Sequence, residues 1–160
     1  MRSRLHAQRG FTAVEGMIVV AILAILAAFA APAMNGMIRA QKVRTIAYDL
    51  FADLTVTRSE AIARGRNVAL FSTSGLNWVD GWAIRDLTTG EVIRQQGPRA
   101  SGVAFTADQT NIVFDRTGRL FGPTVTWAIA PVDTDAPDAQ KRCIRITPSG
   151  RPNTLNGPCP

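Results

Sequence analysis

Apolar residues are unevenly spread along this chain. No charge falls between Glu15 and Arg39, so Gly16–Ile38 is an uncharged run of 23 residues. As α-helix it spans roughly 34 Å, enough to cross a bilayer core. After it the pattern changes to one apolar stripe. Val43, Ile46, Ala47, Leu50, Phe51, Leu54, Ala61 and Ile62 recur at steps of three and four, with Arg39, Lys42, Arg44, Asp49, Asp53 and Glu60 between them. Gly65 after Arg64 reads as a helix stop. The pattern predicts one helix from about Thr12 to Arg64, its first half apolar all round and its second half one-sided.

Beyond Gly65 the period shortens. Val68–Ser72, Trp82–Arg85, Glu91–Arg94, Val103–Phe105, Ile112–Phe114, Thr124–Ile129 and Cys143–Ile146 read as short strands. Asp80-Gly81, Thr89-Gly90, Thr117-Gly118 and Ser149-Gly150 mark turns between them. Pro131–Gln140 holds three aspartates and two prolines and reads as an exposed loop.

Charge and cysteine content refine this picture. The formal net charge is +6, and Arg2, Arg4 and Arg9 supply three of it. A chain starting after Gly10 is therefore only mildly basic. Arginines ahead of the apolar run favour a cytoplasmic N-terminus. Cys143 and Cys159 are the two cysteines, and in an exported chain an even count suggests one disulfide. Two unpaired thiols are the alternative. Glu15 stands just inside the apolar run, where an ionisable group is costly and marks a functional candidate.

The stretch Arg9-Gly10-Phe11-Thr12-Ala13-Val14-Glu15-Gly16-Met17-Ile18-Val19-Val20 and its apolar continuation resemble the signal of type IV pilins and type II secretion pseudopilins. The resemblance implies cleavage after Gly10 by a prepilin peptidase and N-terminal methylation of Phe11. It also implies an assembly role for Glu15, whose partner is a neighbouring subunit's N-terminal amine, and a helix kink at Pro32. Cleavage there leaves the apolar helix attached, so the product stays in the membrane. A buried carboxylate needs a partner, and small residues along the helix allow close packing. An ordinary signal peptide, cut near Ala31, is the alternative.

Further residues resemble the GspH/FimT group of minor pilins and pseudopilins. They are Leu50, Asp53-Leu54, Arg58-Ser59-Glu60-Ala61-Ile62, Arg64, Asn67-Val68, Trp78, Gly81-Trp82, Ile112, Phe114, Gly118-Arg119, Ile144-Arg145-Ile146 and Gly150-Arg151. The implied fold is α+β and type IV pilin-like: a long N-terminal helix, transmembrane in its first half, packed on antiparallel β-sheet. The expected organisation is a leader over residues 1–10, a transmembrane and assembly helix over 11–38, and a periplasmic domain over 39–160. The expected location is the bacterial inner membrane, single-pass, or a cell-surface pilus. Expected partners are other pilin or pseudopilin subunits, the prepilin peptidase, the inner membrane and DNA. The expected role is a FimT-like minor pilin that assembles into or primes a pilus, with a GspH-like minor pseudopilin of type II secretion as the alternative.

Candidate chemistry is sparse. His6 is the only histidine, and a cut after Gly10 removes it. That leaves no Ser-His-Asp triad, no Cys-His pair and no histidine metal site. No enzyme, cofactor or metal is expected. Asp133, Asp135 and Asp138 lack the glycine and distal glutamate of a calcium loop and read as a solvated acidic loop. Trp78 and Trp82 read as core or turn anchors, with a base-stacking platform as the alternative. Lys141, Arg142, Arg145 and Arg151 lie in the last 20 residues, where no acid occurs. Arginine's planar fork suits phosphate. In the FimT-like branch the resemblance implies DNA contact through a Gly-Arg motif that Gly150-Arg151 matches at its start. The same cations also read as a solvated strand face.

Overall fold

A computed structural model describes residues 11–99, 101–133 and 135–160, with the side chains of residues 30–33 left out. Gly10 and the whole 1–10 leader lie outside the described residues. So does the Pro32 side chain, although its backbone lies within the helix.

Helix α1 covers Ala13–Arg64, 52 residues. The Thr12 hydroxyl accepts a hydrogen bond from the Glu15 N–H at 3.3 Å and caps its start. Gly65, at φ +63°, ends it in the left-handed conformation that glycine tolerates best. Two compact units divide the chain at Met37/Ile38. In the first, Val14, Met17, Val20, Leu23, Leu26 and Met37 are all exposed, so the helix is apolar all round. Among the described residues no single helix is long and apolar enough to cross a membrane, but Ala13–Phe29 and Met34–Arg64 satisfy that criterion as a bent pair.

The second unit is the globular domain. Its strands are β1 (Val68–Ser74), β2 (Asn77–Asp86), β3 (Val92–Gln96), β4 (Val103–Ala107), β5 (Asn111–Phe114), β6 (Val125–Pro131), β7 (Arg142–Ile146) and β8 (Pro152–Asn156). They form one antiparallel sheet in the order β5-β1-β2-β4-β6-β7-β8, with β3 also paired to β2. Its halves are joined through β2 and β4 by the single register pair Asn77↔Thr106. At Gly81 strand β2 turns from β4 towards β3. A Cβ there would sit 2.2 Å from the Gln96 carbonyl oxygen, so glycine is required.

Val43, Ile46, Leu50 and Leu54 of α1 bury their side chains in the same core as Val68, Leu70, Ile84, Phe105, Ile129 and Ile144 of the sheet. Each such side chain contributes roughly 1.5–3 kcal/mol when fully buried. Trp78, Trp82 and Trp127 are completely buried among them. Trp78 meets Trp127 edge to face at 5.6 Å, and Trp82 meets Phe105 in the same way at 5.6 Å. Their burial removes the base-stacking alternative.

Polar residues lock the helix onto this core. Asp53 is 1% exposed and accepts hydrogen bonds from Trp82 Nε1 and from Arg94, each at 2.8 Å. Near the helix end, Arg64 reaches Glu91 at 2.6 Å, Glu60 at 2.7 Å and buried Asp86 at 3.5 Å. The hydrogen bonds it donates to the Glu91 and Glu60 carboxylates hold the Arg64 guanidinium above its ordinary pKa. Burial pushes the Asp86 carboxyl up, but the N–H groups of Thr88 and Thr89, with Arg66 and Arg64, outweigh it and hold the group below its ordinary value.

Two sequence readings differ from the fold. The stripe placed Asp53 among the polar positions and Phe51 and Ile62 among the apolar ones. Asp53 is buried, whereas Phe51 and Ile62 are exposed. Strand β8 was not anticipated, because Pro152-Asn153-Thr154-Leu155-Asn156 has no alternating apolar pattern; it is an edge strand held by β7 and the nearby disulfide.

Asp53→Ala is expected to destabilise the domain by about 2–3 kcal/mol, since it strands a buried Trp82 N–H and removes a charge-assisted bond. Arg94→Ala is expected to cost less, about 1–2 kcal/mol, because Asp53 keeps its Trp82 bond while losing a charge-assisted one. Denaturant unfolding of the two variants checks the ranking.

Candidate functional site

The N-terminal segment carries the first group of candidate residues. Phe11 is exposed just ahead of the helix, and Glu15 lies exposed in its first turn. A carboxylate there is favoured by the positive end of the helix dipole. Ala13, Gly16, Met17, Val20, Ala21 and Ala24 line a shallow apolar groove along the same turns. Small residues at this spacing let another helix approach closely. Glu15 lies on the opposite side of the helix from this groove, where its exposed carboxylate is open to a cationic partner.

The C-terminal cations do not form one cluster. Arg142 and Arg145 are three positions apart in β7, so they point to opposite faces. Arg142 pairs across the sheet with Ile129 and Asn156, on the face that carries the core. Arg145 pairs with Thr126 and Asn153 on the outer face and is exposed. Arg142 also donates to the carbonyls of Ala139, at 2.8 Å, and Lys141, at 2.6 Å. Lys141 Nζ meets Asp138 at 2.9 Å. Arg151 is exposed at the end of the β7–β8 turn. Arg145 and Arg151 make no ion pair among the described residues and are the outward-facing cations of this group.

The Cys143–Cys159 disulfide is formed, with Cα atoms 5.0 Å apart. Cys143 lies on the outer face opposite Ala128 and Leu155. The tail beyond β8 folds back so that the Cys159 sulfur lies 3.3 Å from the Trp127 carbonyl oxygen. The bridge thus ties the edge strand's exit to β7.

A contact not read from the sequence joins two Gly-Arg turns. Gly150 sits at φ +74°, and a Cβ there would lie 2.0 Å from the Gly118 carbonyl oxygen and 3.3 Å from the Arg119 Cα. The Leu120 N–H donates to the Pro148 carbonyl at 3.2 Å. The first turn is held by Asp115, whose Oδ1 accepts from the Thr117 hydroxyl and from the Thr117 and Arg119 N–H groups. The Thr117 hydroxyl and those amides hold the Asp115 carboxyl below its ordinary pKa against the effect of burial. Arg58 Nε of α1 donates to the Gly118 carbonyl at 2.9 Å. Helix and both turns therefore converge on one carbonyl, with Arg119 and Arg151 exposed beside it. Both dipeptides were visible in the sequence, but their juxtaposition was not, because they lie 32 positions apart in the chain.

Residues 47–150 match the family model described as type II transport protein GspH. The chain belongs to the GspH family. Residues 5–31 of this GspH-family chain also match the prokaryotic N-terminal methylation motif. Among solved structures, the Pseudomonas aeruginosa type IV minor pilin FimU is 25% identical with a TM-score of 0.62, over 72% of this chain and 89% of that one. The minor pseudopilin EpsH from the type 2 secretion system of Vibrio cholerae is 14% identical with a TM-score of 0.55, over 72% of this chain and 97% of that one, and supports the fold alone. Curated protein sequences give no match. The fold is thus the type IV pilin-like α+β arrangement, and the family is one of minor pilins and pseudopilins.

Seen on the GspH-family fold, the motif residues are mainly structural. Asp53 and Trp82 bond to each other, Glu60 and Arg64 form an ion pair, and Arg58, Gly118 and Gly150 meet at one carbonyl. Gly150→Ala is expected to destabilise the domain by about 2–4 kcal/mol, combining left-handed backbone strain with a backbone clash. Gly90→Ala has open space around its Cβ and carries only the strain, about 1–2 kcal/mol. Thermal unfolding of both variants, compared with the unmodified chain, separates clash from strain.

Proposed function

We propose that this chain is a FimT-like minor pilin that assembles into, or primes, a type IV pilus. A methylation motif at residues 5–31 joined to a GspH-family domain carries this reading. In it, a prepilin peptidase cuts after Gly10 and Phe11 becomes the methylated N-terminus. Residues 11–38 anchor the chain in the inner membrane and pack against other subunits, with Pro32 relieving the helix. The domain over 39–160 lies outside that membrane. Glu15, exposed in the first turn of the helix, receives the N-terminal amine of a neighbouring subunit. The role is structural and not catalytic. The 25% identity to a minor pilin favours the pilus. The family description favours the second reading, a pseudopilin of type II secretion.

Mass spectrometry of the mature protein is expected to show an N-terminus at methylated Phe11. An N-terminus near Ala31 overturns the reading. Deletion is expected to abolish pili or twitching while exoprotein secretion continues; the reverse result favours the pseudopilin.

DNA contact is the finer part of the proposal. Arg145 and Arg151 are its outward-facing cations, with Arg119 brought alongside Arg151 by the paired turns. Duplex binding by the full chain in neutral detergent is expected to fall steeply with salt, and Arg151→Ala to reduce the log–log salt slope by about 1. Arg142→Ala, on the opposite face from Arg145, is expected to leave the slope unchanged. Salt-independent binding, or none at low salt, removes DNA contact from the proposal.

A further inference from the structure

A pocket of about 360 Å³ lies within the globular unit where α1 enters it. Ile38, Thr45, Ile46 and Pro98 give it a largely apolar lining, and Lys42 and Arg99 bring two cations to the same space. Among the described residues no carboxylate lines it, although Asp49 pairs with Arg99. Lys42 Nζ makes one hydrogen bond, to the Ser101 carbonyl at 3.2 Å, which leaves two of its three donors for another partner. Arg99 is held rigidly. Its guanidinium lies 4.3 Å over the Trp82 ring and donates to Asp49 at 2.9 Å and Gln96 at 2.8 Å. Its Nε is buried and has no acceptor among the described residues.

We propose that this pocket binds the headgroup of an anionic phospholipid. The phosphate sits at Lys42 and Arg99, and the glycerol and first acyl methylenes lie against Ile38, Ile46 and Pro98. Position and charge together select this occupant. Ile38 is both the last residue of the uncharged run and the first residue of the lining. From Ile38 to Ile46 the helix rises about 12 Å, against a headgroup layer about 5–7 Å deep on each side of the bilayer core. The lining therefore starts where the apolar run ends, and Lys42 follows about 6 Å further along the helix. A free inorganic anion has no use for the apolar lining, and a neutral lipid leaves Lys42, which has no ion pair among the described residues, without a counterion. The inference rests on the reading of residues 11–38 as a membrane anchor.

The test uses the full chain in phosphatidylcholine vesicles doped with a photoactivatable phospholipid carrying a diazirine on its upper acyl chain, as phosphatidylglycerol or as phosphatidylcholine. Labelled peptides are mapped by mass spectrometry. The peptide holding Pro98 and Arg99 is diagnostic, because it lies far in sequence from the apolar run. The anionic probe is expected to label it about fivefold more than the zwitterionic one, in line with one basic residue acting at an anionic surface. Lys42→Glu is expected to abolish that preference. Thr45→Trp, which fills the pocket without changing charge, is expected to suppress labelling there by both probes. Thr45 is exposed and Lys42 half-buried, so both variants should fold, with unchanged thermal melts as the control. Labelling of residues 16–37 should be the same in every case. Equal labelling by the two probes, or indifference to both substitutions, overturns the proposal. So does complete competition by millimolar inorganic phosphate, which would make this a simple anion site. Crosslinking of the pocket to a second copy of the chain in place of lipid also overturns it. If residues 16–37 are labelled and the Pro98–Arg99 peptide is not, only the lipid site falls; if 16–37 are unlabelled, the anchor reading falls with it.

Discussion

The globular domain depends on a carboxylate buried in the middle of its helix. Asp53 sits on the face of α1 that otherwise carries Val43, Ile46, Leu50 and Leu54 into the core. A charge there is tolerable only when hydrogen-bonded, and its two partners come from different strands: Trp82 of β2 and Arg94 of β3. The bond to Trp82 fixes the helix rotation, because turning α1 by one residue would remove Asp53 from the indole. Hydrophobic packing alone is non-directional and would tolerate neighbouring registers. The aromatic cluster then follows, since Trp82 sets the place of Phe105 and Trp78, and Trp78 that of Trp127.

Much of this was legible in the sequence, and the failures share one cause. The helix bounds, its stop at Gly65 and seven of the strands follow from local periodicity and turn residues, which depend on near neighbours. Asp53 was misplaced because a three-to-four-residue stripe cannot distinguish an acid at its edge from one paired inside the core. Strand β8 escaped because an edge strand beginning at proline draws its stability from β7 and a covalent bridge, not from its own pattern. The contact between the Gly118 and Gly150 turns was invisible for the same reason. Both glycines read as turn residues, but the need for a bare Cα at 150 comes from a carbonyl 32 positions away.

The two units place opposite demands on their surroundings. Residues 38–160 bury their own apolar residues and spread ion pairs over the surface, from Arg64 with its three acids to Arg99 with Asp49. Residues 13–37 expose valine, isoleucine, leucine, methionine and phenylalanine on every side and need lipid or other helices around them. Glu15 is the exception in that segment. In water its charge costs little, but once the surrounding residues are covered it needs a cationic partner. Covering the helix and pairing Glu15 are thus coupled.

The cations of the globular unit divide by the same logic. Those committed to carboxylates or carbonyls, such as Arg39 with Asp133, Arg64, Arg94 and Arg142, serve the fold. Counting basic residues along the last 20 positions therefore overstates the charge on offer there. Strand alternation puts Arg142 and Arg145 on opposite faces, and a loop carbonyl holds Arg142 in place. The free charge at this end is smaller but built from more of the chain: Arg145 and Arg151 from the C-terminal hairpin, and Arg119 from the turn packed against it. The three exposed guanidiniums sit on a frame tied by the disulfide and by the contact between the two turns. The packing of the two turns needs a bare Cα at Gly150, which makes that contact a condition of this basic surface as well as of the fold.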